Sequence, residues 1–292
     1  MRHPKQTSSR AFTLVELLVV TGIIAILLAI LMPTLGKARN TARQLRAAAG
    51  VRELVIGYTQ YSQDNKGALL WGYTGATVNG TPVTVYDAFT DTTFGLPIAD
   101  RWPWRLAPYV KHVWKIIHIH RDAPEVPQMG DPHGTASTLG TVENKAYVLS
   151  LTPAFGINSV YLGGHSGGLF DGFVGDRPNV NKHVAFRQSE IRRPSSQIVF
   201  TEVQVGTIGM PLPVDGEGAH YALPPRANGQ RWTVTDHQFV LTTGVYGGLP
   251  KGRYGKNTIA GFFDGHVETL SPDQLTDMRL WAPRATGPDW DF

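Results

Sequence analysis

Ala11-Phe12-Thr13-Leu14-Val15-Glu16, followed by residues 17–32 (LLVVTGIIAILLAILM), is the stretch on which the fold turns. Only Thr21 and Gly22 interrupt the apolar run, and neither is charged. At about 1.5 Å per helical residue, residues 12–32 span about 31 Å, the hydrocarbon thickness of a bilayer. The spacing predicts a transmembrane helix over 12–32. Glu16 is the anomaly. A charge at the centre of a membrane helix costs about 2.5–3.5 kcal/mol on insertion scales, and less near an interface. A carboxylate kept in such a segment is a functional feature that needs a partner.

Residues 10–16 resemble the processing site of type IV prepilins and of the pseudopilins of type II secretion. The resemblance implies a basic leader, residues 1–11, removed by a prepilin peptidase between Ala11 and Phe12. It also implies methylation of the new Phe12 amine. Glu16 stands where the family carries the glutamate that guides assembly, and Pro33 where many members carry a helix-bending proline. Ala11 departs from the usual glycine but is still small. Cleavage would create an α-amino group with a pKa of about 7.7–8.0, largely charged at neutral pH. A buried carboxylate is tolerated when paired with a cation, so in a helical fibre Glu16 is expected to meet a neighbour's Phe12 amine. The alternatives are a plain signal anchor and a cleaved secretory signal. The second needs a small-x-small site soon after the apolar run, and Ala47-Ala48-Ala49 lies about fifteen residues too far on.

The remaining chain is long enough for one domain with a real core, or for two small ones. Its 32 glycines and 20 prolines among 292 residues exceed the usual shares of about 7% and 5% and predict a loop-rich region. With no cysteine, disulfides, thiolate zinc sites and Cys nucleophiles are excluded. A net charge of only +4 is a weak footprint for nucleic acid, and none is expected as a partner. The leader carries Arg2, Lys5 and Arg10, but the far flank carries Lys37, Arg39, Arg43, Arg46 and Arg52. The positive-inside rule alone therefore does not place the leader in the cytoplasm. The processing-site resemblance does.

The helix is expected to bend at Pro33 without stopping. Leu35, Ala38, Ala42, Leu45 and Ala49, then Val51, Leu54, Val55, Tyr58 and Tyr61, form an apolar stripe. A single helix over 12–64 would be about 79 Å long. The alternative is two helices broken at Pro33. Residues 65–292 read as a β-rich globular domain, with short strands at 81–86, 112–120, 145–151, 197–205, 231–243 and 257–270. The expected fold class is α+β: one long N-terminal helix on a loop-rich antiparallel β domain with a C-terminal hairpin. Asp264-Gly265 between two β-like runs is the preferred two-residue hairpin turn, with both positions at positive φ. Ser271-Pro272 then reads as the N-cap and first turn of a short helix.

Residues 263–267 (FDGHV) also resemble the ending of a bacterial group of prepilin-type proteins named for an H-x9-DG signature. Residues 101–109, 147–158 and 191–195 are similar to that group as well. Tyr254 occupies the signature's His position, so that residue's role does not carry over.

Other chemistry is thinner. Gly164-His165-Ser166-Gly167-Gly168 matches a nucleophile elbow, but the glycine-broken sequence after Ser166 makes a poor helix. His118 and His120 share one face of the expected strand, near His112, and with a third ligand would suit zinc or copper. The blander reading is a hydrogen-bonded strand face. Asp171, Asp176, Asp215 and Glu217 lie in Gly-rich loops. Some pseudopilins bind calcium through such carboxylates, but no EF-hand spacing is present. No metal site and no cofactor is expected, with calcium as the alternative. The tryptophans are expected in the core rather than on a glycan-stacking face.

The expected function is non-enzymatic: a pilin- or pseudopilin-like subunit assembled into a type IV pilus-like fibre or a type II secretion pseudopilus. The expected location is the inner (cytoplasmic) membrane, single-pass, with the globular domain in the periplasm or at the cell surface. The expected partners are prepilin peptidase, the assembly machinery and further copies of the chain. The rivals are a membrane-tethered glycan-binding module that does not assemble, and a tethered hydrolase using Ser166.

Overall fold

The computed structural model describes residues 14–291, apart from 75–76, 79–80, 88–90, 112, 120–145, 148–149, 165–182, 206–217, 228 and 243–247. The chain divides into two units, Met1–Gln44 and Leu45–Phe292.

Helix α1, Leu14–Asp64, contains Pro33 in its interior without a break. Proline lacks the N–H that would reach back one turn, so the Ala29 carbonyl loses its helical donor. In the first unit, every side chain from Leu14 to Arg43 is exposed. In the second unit the same helix buries Ala47, Gly50, Val51, Leu54, Val55, Gly57, Tyr58 and Ser62. The expected stripe is thereby corrected. Leu45 and Ala49 face solvent, and the buried face lies further round the helix. Two glycines shift it. A Cβ on Gly57 would come within 2.2 Å of Val110 Cγ2, and one on Gly50 within 3.0 Å of Ile116 Cγ2. The missing side chains let the 102–117 segment approach the helix backbone, so contact follows the small residues rather than the largest ones.

The other wall is a five-stranded antiparallel sheet in the order β11-β10-β6-β5, with β9 pairing the far end of β6. Its strands are β5 Phe155–Ile157, β6 Ile198–Val205, β9 Gly248–Pro250, β10 Thr258–Phe262 and β11 Val267–Leu270. On β6, Ile198 to Val203 are all buried, whichever face they point to. Helix α1 crosses β10 at Gly261, where a Cβ would come within 2.4 Å of Val51 Cγ1 and 2.8 Å of Val55 Cγ2. Tyr58 makes edge contacts with Phe200 and Phe263, ring centroids 6.0 and 6.1 Å apart. Burying one such apolar side chain is worth about 1.5–3 kcal/mol, so this contact is a main support of the second unit.

Two expected strands are helical. Residues 113–117 form α3, Val113–Ile117, following α2, Trp102–Arg105. Val113, Ile116 and Ile117 are buried at helical spacing while Lys115 faces out. Ala146, Tyr147, Ser150 and Leu151 are also helical. Short β-branched runs carry no decisive period, and tertiary packing overrides propensity there.

The 231–243 run is a hairpin, β7 Trp232–Thr235 and β8 Gln238–Leu241, with Thr235 opposite Gln238. Asp236 and His237 both have positive φ, 52° and 59°. The two-residue turn expected at Asp264-Gly265 is thus found here. At the C-terminal hairpin the Phe262 N–H donates to His266 O and the Gly265 N–H to Phe262 O. The loop is three residues long, and of these only Gly265 has positive φ, 95°. This is a turn closed by a glycine bulge. Ser271 caps the helix Pro272–Leu275 in a reciprocal box with Gln274.

Four tryptophans are core residues: Trp102, Trp104, Trp232 and Trp281. Each indole N–H donates to a carbonyl, of His220, Ala146, Leu223 and Leu275 respectively. Satisfied and buried, none of these four offers a stacking face for a glycan.

Candidate functional site

The N-terminal unit presents apolar side chains on all sides. Leu14 is 78% exposed, and no residue of its apolar span is buried. A helix that is apolar all round and uncovered has its natural solvent in lipid. The few polar groups are arranged accordingly. Thr21 Oγ1 donates to Leu18 O at 3.1 Å, and Thr34 Oγ1 to Leu31 O at 2.8 Å. Both hydroxyls are satisfied within the helix, as a bilayer interior requires of Thr21, while Thr34 lies just past the span. Glu16 sits in the first turn, where a carboxylate complements the helix dipole. Ala11 and Phe12, the expected cleavage and methylation residues, lie outside the described residues.

In the globular unit a groove of about 710 Å³ runs beside the C-terminal hairpin. The outer face of α1 forms one wall with Ile56, Thr59, Gln60 and Gln63. Gln188, Ser189 and Pro194 line a second side, and Phe263, Asp264 and Gly265 close it. Asp264 Oδ1 accepts from the His266 N–H at 3.1 Å and pairs with His266 Nδ1 at 2.5 Å. Burial works to raise the Asp264 pKa, but the bonds from His266 outweigh it and hold the carboxyl below the usual range. The His266 ring stacks on Phe262, centroids 4.2 Å apart and planes within 7°. Sequence reasoning found the Asp-Gly turn but not the groove, because Gln60 and Gln188 become neighbours only in the fold.

Two buried polar clusters are structural. Glu202 is fully buried on β6, accepting from the Ile259 N–H at 3.2 Å, with Arg253 Nε 3.8 Å from its other oxygen. Near α2, Arg101 lies 4.8 Å over the Tyr147 ring and 5.9 Å from the Tyr73 ring centre. Arg105 donates to Tyr61 Oη at 2.9 Å. Burial raises the Asp100 carboxyl and, with the Asp100 charge, pushes Tyr73 up to about 12; burial lowers Arg105. No local signal marks Glu202 as buried, since an alternating strand would have put it in solvent.

Among the described residues no three His, Asp or Glu side chains converge on a metal position. His118 is buried just past the end of α3, not on a strand face. His112, His120, Ser166, Asp171, Asp176, Asp215 and Glu217 lie outside the described residues.

Residues 6–32 match the profile of the prokaryotic N-terminal methylation motif. No curated protein and no solved structure matches the chain. The motif and the apolar helix mark a prepilin-type segment on a pilin-like or pseudopilin-like processed protein, and point to a membrane-anchored, structural role.

Proposed function

We propose that the chain is a structural subunit of a type IV pilus-like fibre or of a type II secretion pseudopilus. A prepilin peptidase removes residues 1–11 by cutting between Ala11 and Phe12, and the Phe12 amine is methylated. The protein is held in the inner membrane by residues 12–32, with the globular unit on the periplasmic side or displayed at the surface. During assembly Glu16 of one copy pairs with the Phe12 amine of the next. The observation that carries this reading is the methylation motif over 6–32, set on a helix whose apolar turns are all uncovered. The similarity of residues 263–267 to the ending of the H-x9-DG group supports kinship with that group in this reading, with Tyr254 at the His position.

Mass spectrometry of the native N-terminus tests the processing step. A chain beginning at an N-methylated Phe12 is expected; one beginning at Met1, or near Gly50, overturns it. The groove beside Asp264 favours a second reading, a membrane-tethered binding module that does not assemble. Glu16→Val separates the two. In an anchor, replacing a carboxylate in lipid is neutral or helpful. In a subunit, it strands a neighbour's amine at about 3–5 kcal/mol, and the variant is cut and inserted but absent from sheared filaments. Equal recovery of variant and wild type in filaments leaves the tethered module ahead.

A further inference from the structure

The basic residues that follow the apolar span have no part in processing or in core packing. From Leu17 to Arg52 the chain has no Asp or Glu, yet Lys37, Arg39, Arg43, Arg46 and Arg52 fall within it. Lys37, Arg39 and Arg43 belong to the N-terminal unit, and all three are exposed. We infer that these three bind anionic phospholipid headgroups on the side of the membrane from which the globular unit emerges. The inference rests on reading 12–32 as a membrane span.

Positive charge beside a span on the translocated side is disfavoured during insertion, so three such residues there have a role to be accounted for. Distance puts the headgroup layer within their reach. At about 1.5 Å per residue, Lys37 lies about 7 Å and Arg43 about 16 Å beyond Met32. The headgroup layer extends roughly 5–7 Å past the hydrocarbon, and its field reaches about a further 8–10 Å. The long stems let each cation lean toward that layer. Direction excludes a flat protein face as the better fit. Lys37 and Arg39, two apart on a helix, point to opposite sides, while Arg43 follows Arg39 one turn on. Cations on opposite sides of a helix suit a layer that encircles it.

The test uses the full chain in phosphatidylcholine vesicles carrying either spin-labelled phosphatidylglycerol or spin-labelled phosphatidylcholine. The fraction of motionally restricted lipid gives the relative affinity. Wild type is expected to prefer phosphatidylglycerol severalfold over phosphatidylcholine, with the preference shrinking as salt is added. The triple variant Lys37→Gln, Arg39→Gln, Arg43→Gln keeps good helix formers and is expected to lose the preference. Arg52→Gln, further along the helix, is expected to keep it. Equal affinity of wild type for both lipids overturns the inference, as does an undiminished preference in the triple variant. A triple variant that leaves the lipid signal untouched but fails to enter filaments overturns it in favour of an acidic protein partner. The lipid readout needs only the span and the three cations, so a chain still beginning at Met1 would sink the proposed processing and leave this result standing.

Discussion

Two stretches of one helix, residues 14–44 and 45–64, share a backbone conformation and differ in everything else. The first buries nothing, and its apolar residues occupy the whole circumference. The second buries one face, built from Gly50 and Gly57 as much as from Val51, Leu54 and Val55. Helix formation therefore says little about what a helix is for. The first stretch is specified by the absence of charge over residues 17–32 and by hydroxyls that bond inward. The second is specified by where a neighbouring segment can come close.

The contrast is broken most severely by separating the two. A chain beginning at Thr41 is expected to be soluble, monomeric and cooperatively folded, because the packed face of α1 stays with its sheet. Sedimentation and a thermal melt check this, and aggregated material would mean that the second stretch depends on the first. Next in size is Leu54→Ala, fully buried, which should cost about 2–5 kcal/mol through lost transfer and cavity terms. The same change at Leu45, exposed at 66%, should stay within about 0.5 kcal/mol. Denaturant melts of the two variants measure the difference directly, and equal losses would show that the assigned face is wrong. Gly261→Val should cost about 1–3 kcal/mol or more by overpacking against Val51 and Val55. If its melting temperature matches wild type, α1 does not lie on β10. The smallest effect is expected at Gly265→Val, where nothing lies within 4 Å of the added Cβ but φ is +95°. Backbone strain alone is worth about 1–3 kcal/mol, towards the low end in an exposed loop that can relax. An unchanged midpoint would show that the glycine bulge is dispensable.

How far the sequence could be read follows the same divide. The N-terminal stretch was legible because its signal is local: an apolar run broken only by Thr21 and Gly22, one carboxylate, and a proline that the helix runs through. Continuity of α1 past Pro33 and the cap at Ser271 were legible for the same reason. The second unit was legible only in outline. The 113–117 run looked like a strand because Val and Ile favour strands, yet it packs as a helix turn on Gly50. Asp264-Gly265 carried the stronger two-residue turn signature, but that turn formed at Asp236-His237, while the pairing of Phe262 with His266 leaves three residues in the C-terminal loop. The groove brings together positions near 60, 190 and 264, and no window along the chain contains all three.

The crossing of α1 over β10 also sets a clock. Residues near position 50 pack on residues near position 260, so the helix leaves the ribosome long before its sheet exists. At about 5–20 residues per second, Val51, Leu54 and Val55 wait through tens of seconds of synthesis with their apolar face uncovered. Glu202 waits as well, since the Ile259 N–H and Arg253 that enclose it come later in the chain. The globular unit can therefore close only when its C-terminal hairpin arrives.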